Sequence, residues 1–137
     1  MLKQVREVCE RFGIPFEVLG RLEVESGQGA VFVATREAMR FDAVRPMRKG
    51  MRLLRVFPHS LKPTTFAMQL LGQYATRNRV DLDEGQAVRA ISGEELEVES
   101  DASDGYVLMR CRGFVVGVGL YRRPVLKSQV PRHRPVE

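Results

Sequence analysis

Histidine and cysteine are nearly absent, with two of each in 137 residues. His59 and His133, and Cys9 and Cys111, stand far apart and do not have the spacing of a zinc site. Two such cysteines do not make a secreted disulfide scaffold either. Long apolar runs are missing, and none approaches the roughly 18 residues that a membrane span requires. The opening "MLKQVREVCERFG" alternates charged with apolar residues, unlike a signal peptide. The expectation is a cytoplasmic protein with no membrane partner. There is no GxxxxGK[ST] phosphate loop. "GVGLYR" lacks the third glycine of a dinucleotide fingerprint and sits inside a strand, and "GQGAVF" fails in the same way. No serine stands near a histidine in a nucleophile motif. Cys9 falls on the apolar side of a helix and Cys111 on a core face, where a thiolate is disfavoured. The acidic run "SGEELEVESDASD" contains "GEELEVE", which alternates as an edge strand with outward acids rather than forming a cation site. These absences predict a protein without a catalytic centre, metal or cofactor.

Lysine is scarce, at four residues, although Lys and Arg together number 22 against 17 acids, for a net charge of +5. The distribution says more than the sum. Residues 36–62 carry net +6 (Arg36, Arg40, Arg45, Arg48, Lys49, Arg52, Arg55 and Lys62 against Glu37 and Asp42), and residues 106–137 carry +6 again. Between them, residues 80–105 carry −8, with Arg89 as the one cation. Two arginine-rich blocks thus flank an acidic one. Arginine's planar fork suits phosphates and bases, and such clustering favours a polyanionic partner, most often nucleic acid. A scattered, solvated charged surface is the competing reading.

What is present is an ordered-chain composition, 44% hydrophobic and 28% charged, in a length that suits one compact domain or two small ones sharing a core. Leu2, Val5, Val8 and Phe12 recur at helical spacing, with Gly13 as a stop. "LEVE" and "AVFVA" read as a hairpin around "SGQG". Thr35 can cap a short helix through Arg40. "MRLLRVF" is a strand whose Arg52 and Arg55 cannot share a face if it is regular. In "KPTTFAMQLLGQYATRN", Pro63 sets the first turn of a helix, Phe66, Ala67, Leu70, Leu71 and Tyr74 form its buried stripe, and Asn78 ends it. "RVDLDEGQAVRAISG" predicts a short strand and a helix with a capping box at Asp83 and Gln86, buried through Ala87, Val88 and Ile91 and ended by Gly93. "VLKSQVP" is a last short strand, and "RHRPVE" a loosely held tail. Four helices and about seven strands without regular βαβ alternation indicate an α+β fold.

The stretch "GYVLMRCRGFVVGVGLYRR" reads as two strands joined by a two-residue turn at Arg112-Gly113. In regular register Cys111, Met109 and Val107 then oppose Phe114, Val116 and Val118 as one apolar core face. Tyr106, Leu108, Arg110, Val115, Gly117, Gly119 and Tyr121 occupy the other. Bare glycines there leave room for a ligand or another backbone, or mark a plain bulge or bend.

The order of features from "VDLDEGQAVRAISGEEL" to "GYVLMRCRGFVVGVGLY" resembles the PUA domain, a small pseudo-barrel that binds RNA. More closely, "LKPTTFAMQLLGQ", "ISGEEL", "GYVLMRCRGFVVGVGLY" and "LKSQVP" resemble the C-terminal region of RsmF-type, Sun-family RNA cytosine-C5 methyltransferases, archaeal ones in particular. The likeness covers roughly residues 50–137. It implies a small N-terminal α/β unit over residues 1–79 followed by a PUA-like β pseudo-barrel over residues 80–137. That family also needs an S-adenosylmethionine-binding domain and cysteines in Pro-Cys and Thr-Cys contexts. Here Cys9 lies in "VCE" and Cys111 in "RCR", and the length has no space for that domain. In layout alone the chain is also similar to a ribosome-assembly factor of eukaryotes and archaea.

The resemblance therefore implies a non-catalytic RNA-binding protein acting in rRNA or tRNA modification or in ribosome assembly, with structured RNA as partner. PUA domains commonly hold RNA along their first helix and the glycine loop after it, here residues 84–91 and Ser92-Gly93. Glu84, Glu94 and Glu95 make that surface acidic, which shifts the expected contacts to Arg89, Arg110, Arg112, Arg122, Arg123 and Lys127. Tyr106 and Tyr121 are the candidates for stacking on an unpaired base, and Lys49, Arg52, Arg55 and Lys62 extend the track. The alternative is an adaptor whose acidic block docks a separate methyltransferase or ribosomal protein.

Overall fold

The computed structural model describes residues 2–20, 22–27, 29–35 and 51–131. The expected helix after Thr35, Lys49, and the tail from Arg132 lie outside the described residues. Helix α1 (Leu2–Phe12) buries Val5, Val8, Cys9 and Phe12, and Gly13 follows it at φ +63°. Strands β1 (Leu22–Gly27), β2 (Ala30–Thr35), β3 (Met51–Phe57) and β4 (Ser60–Pro63) form an antiparallel sheet in that order. Pro63 closes β4 rather than opening the next helix. That role falls to Thr64, whose hydroxyl accepts from the Ala67 N–H at 3.3 Å at the start of α2 (Thr65–Leu71). A single 3-10 turn, Gly72–Tyr74, ends the helical run.

The second sheet is built from β5 (Arg79–Leu82), β6 (Leu96–Glu97), β7 (Gly105–Cys111), β8 (Phe114–Arg122) and β9 (Val125–Ser128), in the order β5-β7-β8-β9-β6. It is a curled half-barrel, with β5 parallel to β7 and its other neighbours antiparallel. The chain as a whole is thus α+β, as its sequence predicts. Helix α3 (Glu84–Ile91) crosses between β5 and β6. Its capping box is as expected, with Asp83 accepting from the Gln86 N–H at 2.7 Å and Gln86 from the Asp83 N–H at 3.0 Å. Its buried face differs: Ala87 and Ala90 point inward, while Val88 and Ile91 are exposed. Asn78 ends no helix. It sits in left-handed conformation between α1 and β5, where its side chain donates to the Arg11 carbonyl at 2.5 Å and accepts from the Ser103 N–H at 2.9 Å.

Two apolar clusters hold these layers together. One gathers α1, β2, β3 and α2 around Leu108 and Val118, and the other gathers β5, α3, β6 and β9 around Val107 and Met109. Strands β7 and β8 are therefore buried on both faces. This overturns the reading of one stripped, basic face. The turn at Arg112-Gly113 forms as expected, with both residues at positive φ, and Cys111 opposes Phe114. A one-residue bulge at Val116 then shifts the register, so that Gly117 opposes Met109 and Gly119 opposes Val107.

Gly119 accordingly faces the second core rather than a ligand. A Cβ there would stand 2.8 Å from Leu126 Cδ1 and 3.1 Å from Met109 Cγ. Both neighbours are fully buried, so a methyl group must displace packed atoms. Gly119→Ala is expected to cost about 1–3 kcal/mol of stability, read as a lowered urea midpoint. An unchanged midpoint would mean that this space is open.

Candidate nucleic-acid interface

Folding pairs much of the second basic block with the acidic block. The parallel register of β5 on β7 sets Asp81 beside Arg110, and the Arg110 Nε donates to the Asp81 carboxylate at 2.8 Å. Arg112, at the hairpin turn, pairs with Glu84 at the start of α3. Arg89 approaches Glu94 at 3.7 Å. Arg123 is turned back on the chain, where its guanidinium donates to the Ser100 carbonyl at 2.7 Å and to the Ala102 carbonyl at 3.1 Å. Four of the predicted RNA-binding arginines thus spend their charge or their donors within the protein. Gly93, at φ +103°, is exposed at the end of α3 as expected, beside Glu94.

Tyr121 is no stacking platform. The bulge turns it into the second core, where it is 0% exposed and its hydroxyl donates to the Val98 carbonyl at 2.7 Å. Tyr106 is half-buried against the first core. Phe114, expected in the core, is instead 76% exposed.

Arg122 and Lys127 remain exposed, with no hydrogen-bond or ion-pair partner among the described residues. Lys127 opposes Leu120 across β8 and β9, and Arg122 lies two residues beyond Leu120. By strand alternation these two cations share one face. Continuing past β9, Gln129 donates its N–H to the Val118 carbonyl at 2.8 Å. Gln129 also lines a groove of about 360 Å³ together with Arg52, Arg55, Lys62, Pro63, Thr64, Thr65, Phe66 and Pro131.

That groove exists because of a second bulge. Phe32 opposes Arg52, whereas Val31 opposes Leu54 and Ala30 opposes Arg55, so Leu53 is an extra residue in β3. Phe32 and Ala30 share a face of β2, and Arg52 and Arg55 therefore share one too, contrary to the regular-strand expectation. Lys62 joins them as the partner of Arg55 on β4. The Arg52 guanidinium lies 5.7 Å from the Phe32 ring centroid, and its Nε is shielded from solvent without a hydrogen-bond partner. Phe66, expected in the core, stands at the groove 66% exposed. The stripe read for α2 is split: Ala67, Met68 and Leu71 are buried, and Phe66, Leu70 and Tyr74 face outward.

Sequence reading missed Arg11, which ties α1 to the second sheet. Its guanidinium donates to the Tyr106 carbonyl at 3.0 Å and the Ser103 carbonyl at 2.7 Å. Burial lowers its pKa, against an opposing pull from Asp104. It lines a depression of about 780 Å³ between α1, β3–β4 and β7, where Lys3 and Arg11 are mixed with Glu7 and Asp104 and no single sign of charge prevails. Among the described residues, no group of three or more His, Cys, Asp or Glu could hold a metal ion. No described helix is long and apolar enough to cross a membrane.

Burial, helped by neighbouring Glu10, pushes the Cys9 thiol above its ordinary pKa. At about pH 8 a smaller fraction is then thiolate than in a free cysteine. Cys9 is expected to alkylate slowly with iodoacetamide in the folded protein and fast after denaturation. Labelling of the native protein at the rate of a free thiol would contradict this.

A curled five-stranded sheet with a capped helix between its first two strands defines the C-terminal part as a PUA-like domain. Residues 77–134 match the family described as the methyltransferase RsmF PUA domain. The chain is also 25% identical over 130 residues to ribosomal RNA small subunit methyltransferase F of Aeromonas salmonicida (strain A449). That alignment takes in 93% of this chain and 26% of the relative, so the chain spans about a quarter of that protein's length.

Proposed function

We propose that this is a non-catalytic RNA-binding protein that engages structured RNA, with small-subunit ribosomal RNA the leading candidate, in the setting of rRNA modification or ribosome assembly. The observation that carries this reading is the match of residues 77–134 to the PUA domain of a ribosomal RNA methyltransferase. The unpaired cations Arg122 and Lys127 support it as phosphate contacts, with Arg52, Arg55 and Lys62 as a second set. Arg89, Arg110 and Arg112 contribute less, because an ion pair must open before each can meet a phosphate. Phosphates would supply most of the affinity and RNA shape most of the selectivity.

The test is the double variant Arg122→Gln, Lys127→Gln. Both side chains are exposed and unpaired, so the fold should be retained. Each lost phosphate contact is expected to flatten the salt dependence of RNA affinity by about one unit on a log–log plot. An unchanged slope in the folded variant would remove these residues from the interface.

A second reading, a protein-docking adaptor, is favoured by the outward row of Phe66 and Leu70 on α2 and Tyr74 in the 3-10 turn after it. Contiguous exposed apolar side chains of this kind mark interaction surfaces. Co-purification with one protein that survives nuclease treatment would support it over RNA binding.

A further inference from the structure

We propose that the groove between β3, β4 and α2 is a site for a single unpaired nucleotide, with its phosphate held by Arg52, Arg55 and Lys62 and its base stacked on Phe66. This deepens the RNA reading above and rests on it. Three cations share one face because of the β3 bulge and the β3–β4 register. No acidic residue is among the groove's lining. Here the arginines are not neutralised, unlike those on β7 and α3. The occupant must therefore be an anion.

The groove's size and rim narrow the choice further. About 360 Å³ lies near the lower end of small-ligand sites. It takes one nucleotide-sized group, not a duplex. A paired base is stacked inside its helix and cannot present its face to a side chain, whereas an unpaired one can. Phe66 supplies that platform, exposed beside the cations with no core role to lose. Arg52 holds a buried Nε without a partner, and a buried donor of that kind calls for an acceptor. Gln129 adds a neutral amide to the same lining. Gln129 also lies two residues beyond Lys127, so the segment after β9 that lines the groove begins beside one of the exposed cations.

The experiment compares one RNA hairpin in blunt form with the same hairpin carrying a short single-stranded uridine tail. The readout is the ratio of the two affinities. In the wild-type protein the tail should tighten binding by about 5- to 150-fold, the range expected for one base stacked on an aromatic ring. Phe66→Ala should bring the ratio close to one, and Arg55→Gln with Lys62→Gln should lower it strongly. Arg122→Gln should weaken both RNAs alike and leave the ratio in place. Photo-crosslinking of a 4-thiouridine tail should map to α2. Equal binding of both hairpins by the wild-type protein would overturn the nucleotide site while leaving the RNA reading standing, as would a tail effect that survives Phe66→Ala. Failure to bind either hairpin at low salt would overturn both.

Discussion

Replacing Tyr121 by alanine is expected to destabilise the protein by about 3–5 kcal/mol, the range for removing a large buried aromatic ring. Tyr121 is completely buried among Val107, Met109, Leu126 and Leu96, at the centre of the half-barrel. The strands around it are pinned by register, so the cavity cannot close. Against a total stability of about 5–15 kcal/mol, such a loss leaves a marginal fold. Tyr121→Phe keeps the ring and removes only the donor to the Val98 carbonyl, at about 0.5–1.5 kcal/mol. Urea denaturation of both variants separates packing from hydrogen bonding. An alanine variant as stable as the wild type would return Tyr121 to the surface, and with it the face that the sequence assigns to RNA.

The elements that could be read from the sequence are those fixed by local chemistry. Leu2, Val5, Val8 and Phe12 dictate α1, Asp83 and Gln86 dictate the start of α3, and Arg112-Gly113 dictates the hairpin turn. Sequence pattern and structure part where one extra residue decides a face. The bulge at Val116 leaves no mark in the apolar pattern, because its neighbours Val115 and Gly117 carry no polar group and both faces of β7 and β8 are buried. In β3, Leu53-Leu54 between Arg52 and Arg55 fits a regular strand as well as a bulged one. Alternation then gives the wrong side to Tyr121 and Gly119, and it separates Arg52 from Arg55. Phe66 was hidden for a different reason. A helix as short as α2 presents two apolar faces, and only its packing against β3 and β8 selects which is covered. The ion pairs were hidden by distance along the chain: Asp81 and Arg110 lie 29 residues apart and meet only through parallel pairing. Blocks of opposite charge in sequence become neighbours in space, and what survives for a polyanion is smaller than the blocks promise.

The RNA account is tested most directly by the affinity of the wild-type protein for structured ribosomal RNA fragments across a salt series. Arg55, Lys62, Arg122 and Lys127 have no partner among the described residues. If the groove cations share one phosphate and Arg122 and Lys127 neutralise one each, log affinity should fall by about 2–3 units per log unit of salt, at roughly 0.7–0.9 for each contact. Between about 50 and 200 mM salt, that is a loss of about 20- to 40-fold. A slope in this range, with one RNA shape bound more tightly than others, is the predicted result. Affinity that is flat with salt, or no binding at low salt, would contradict the account and turn attention to the apolar row on α2 as a protein-docking face.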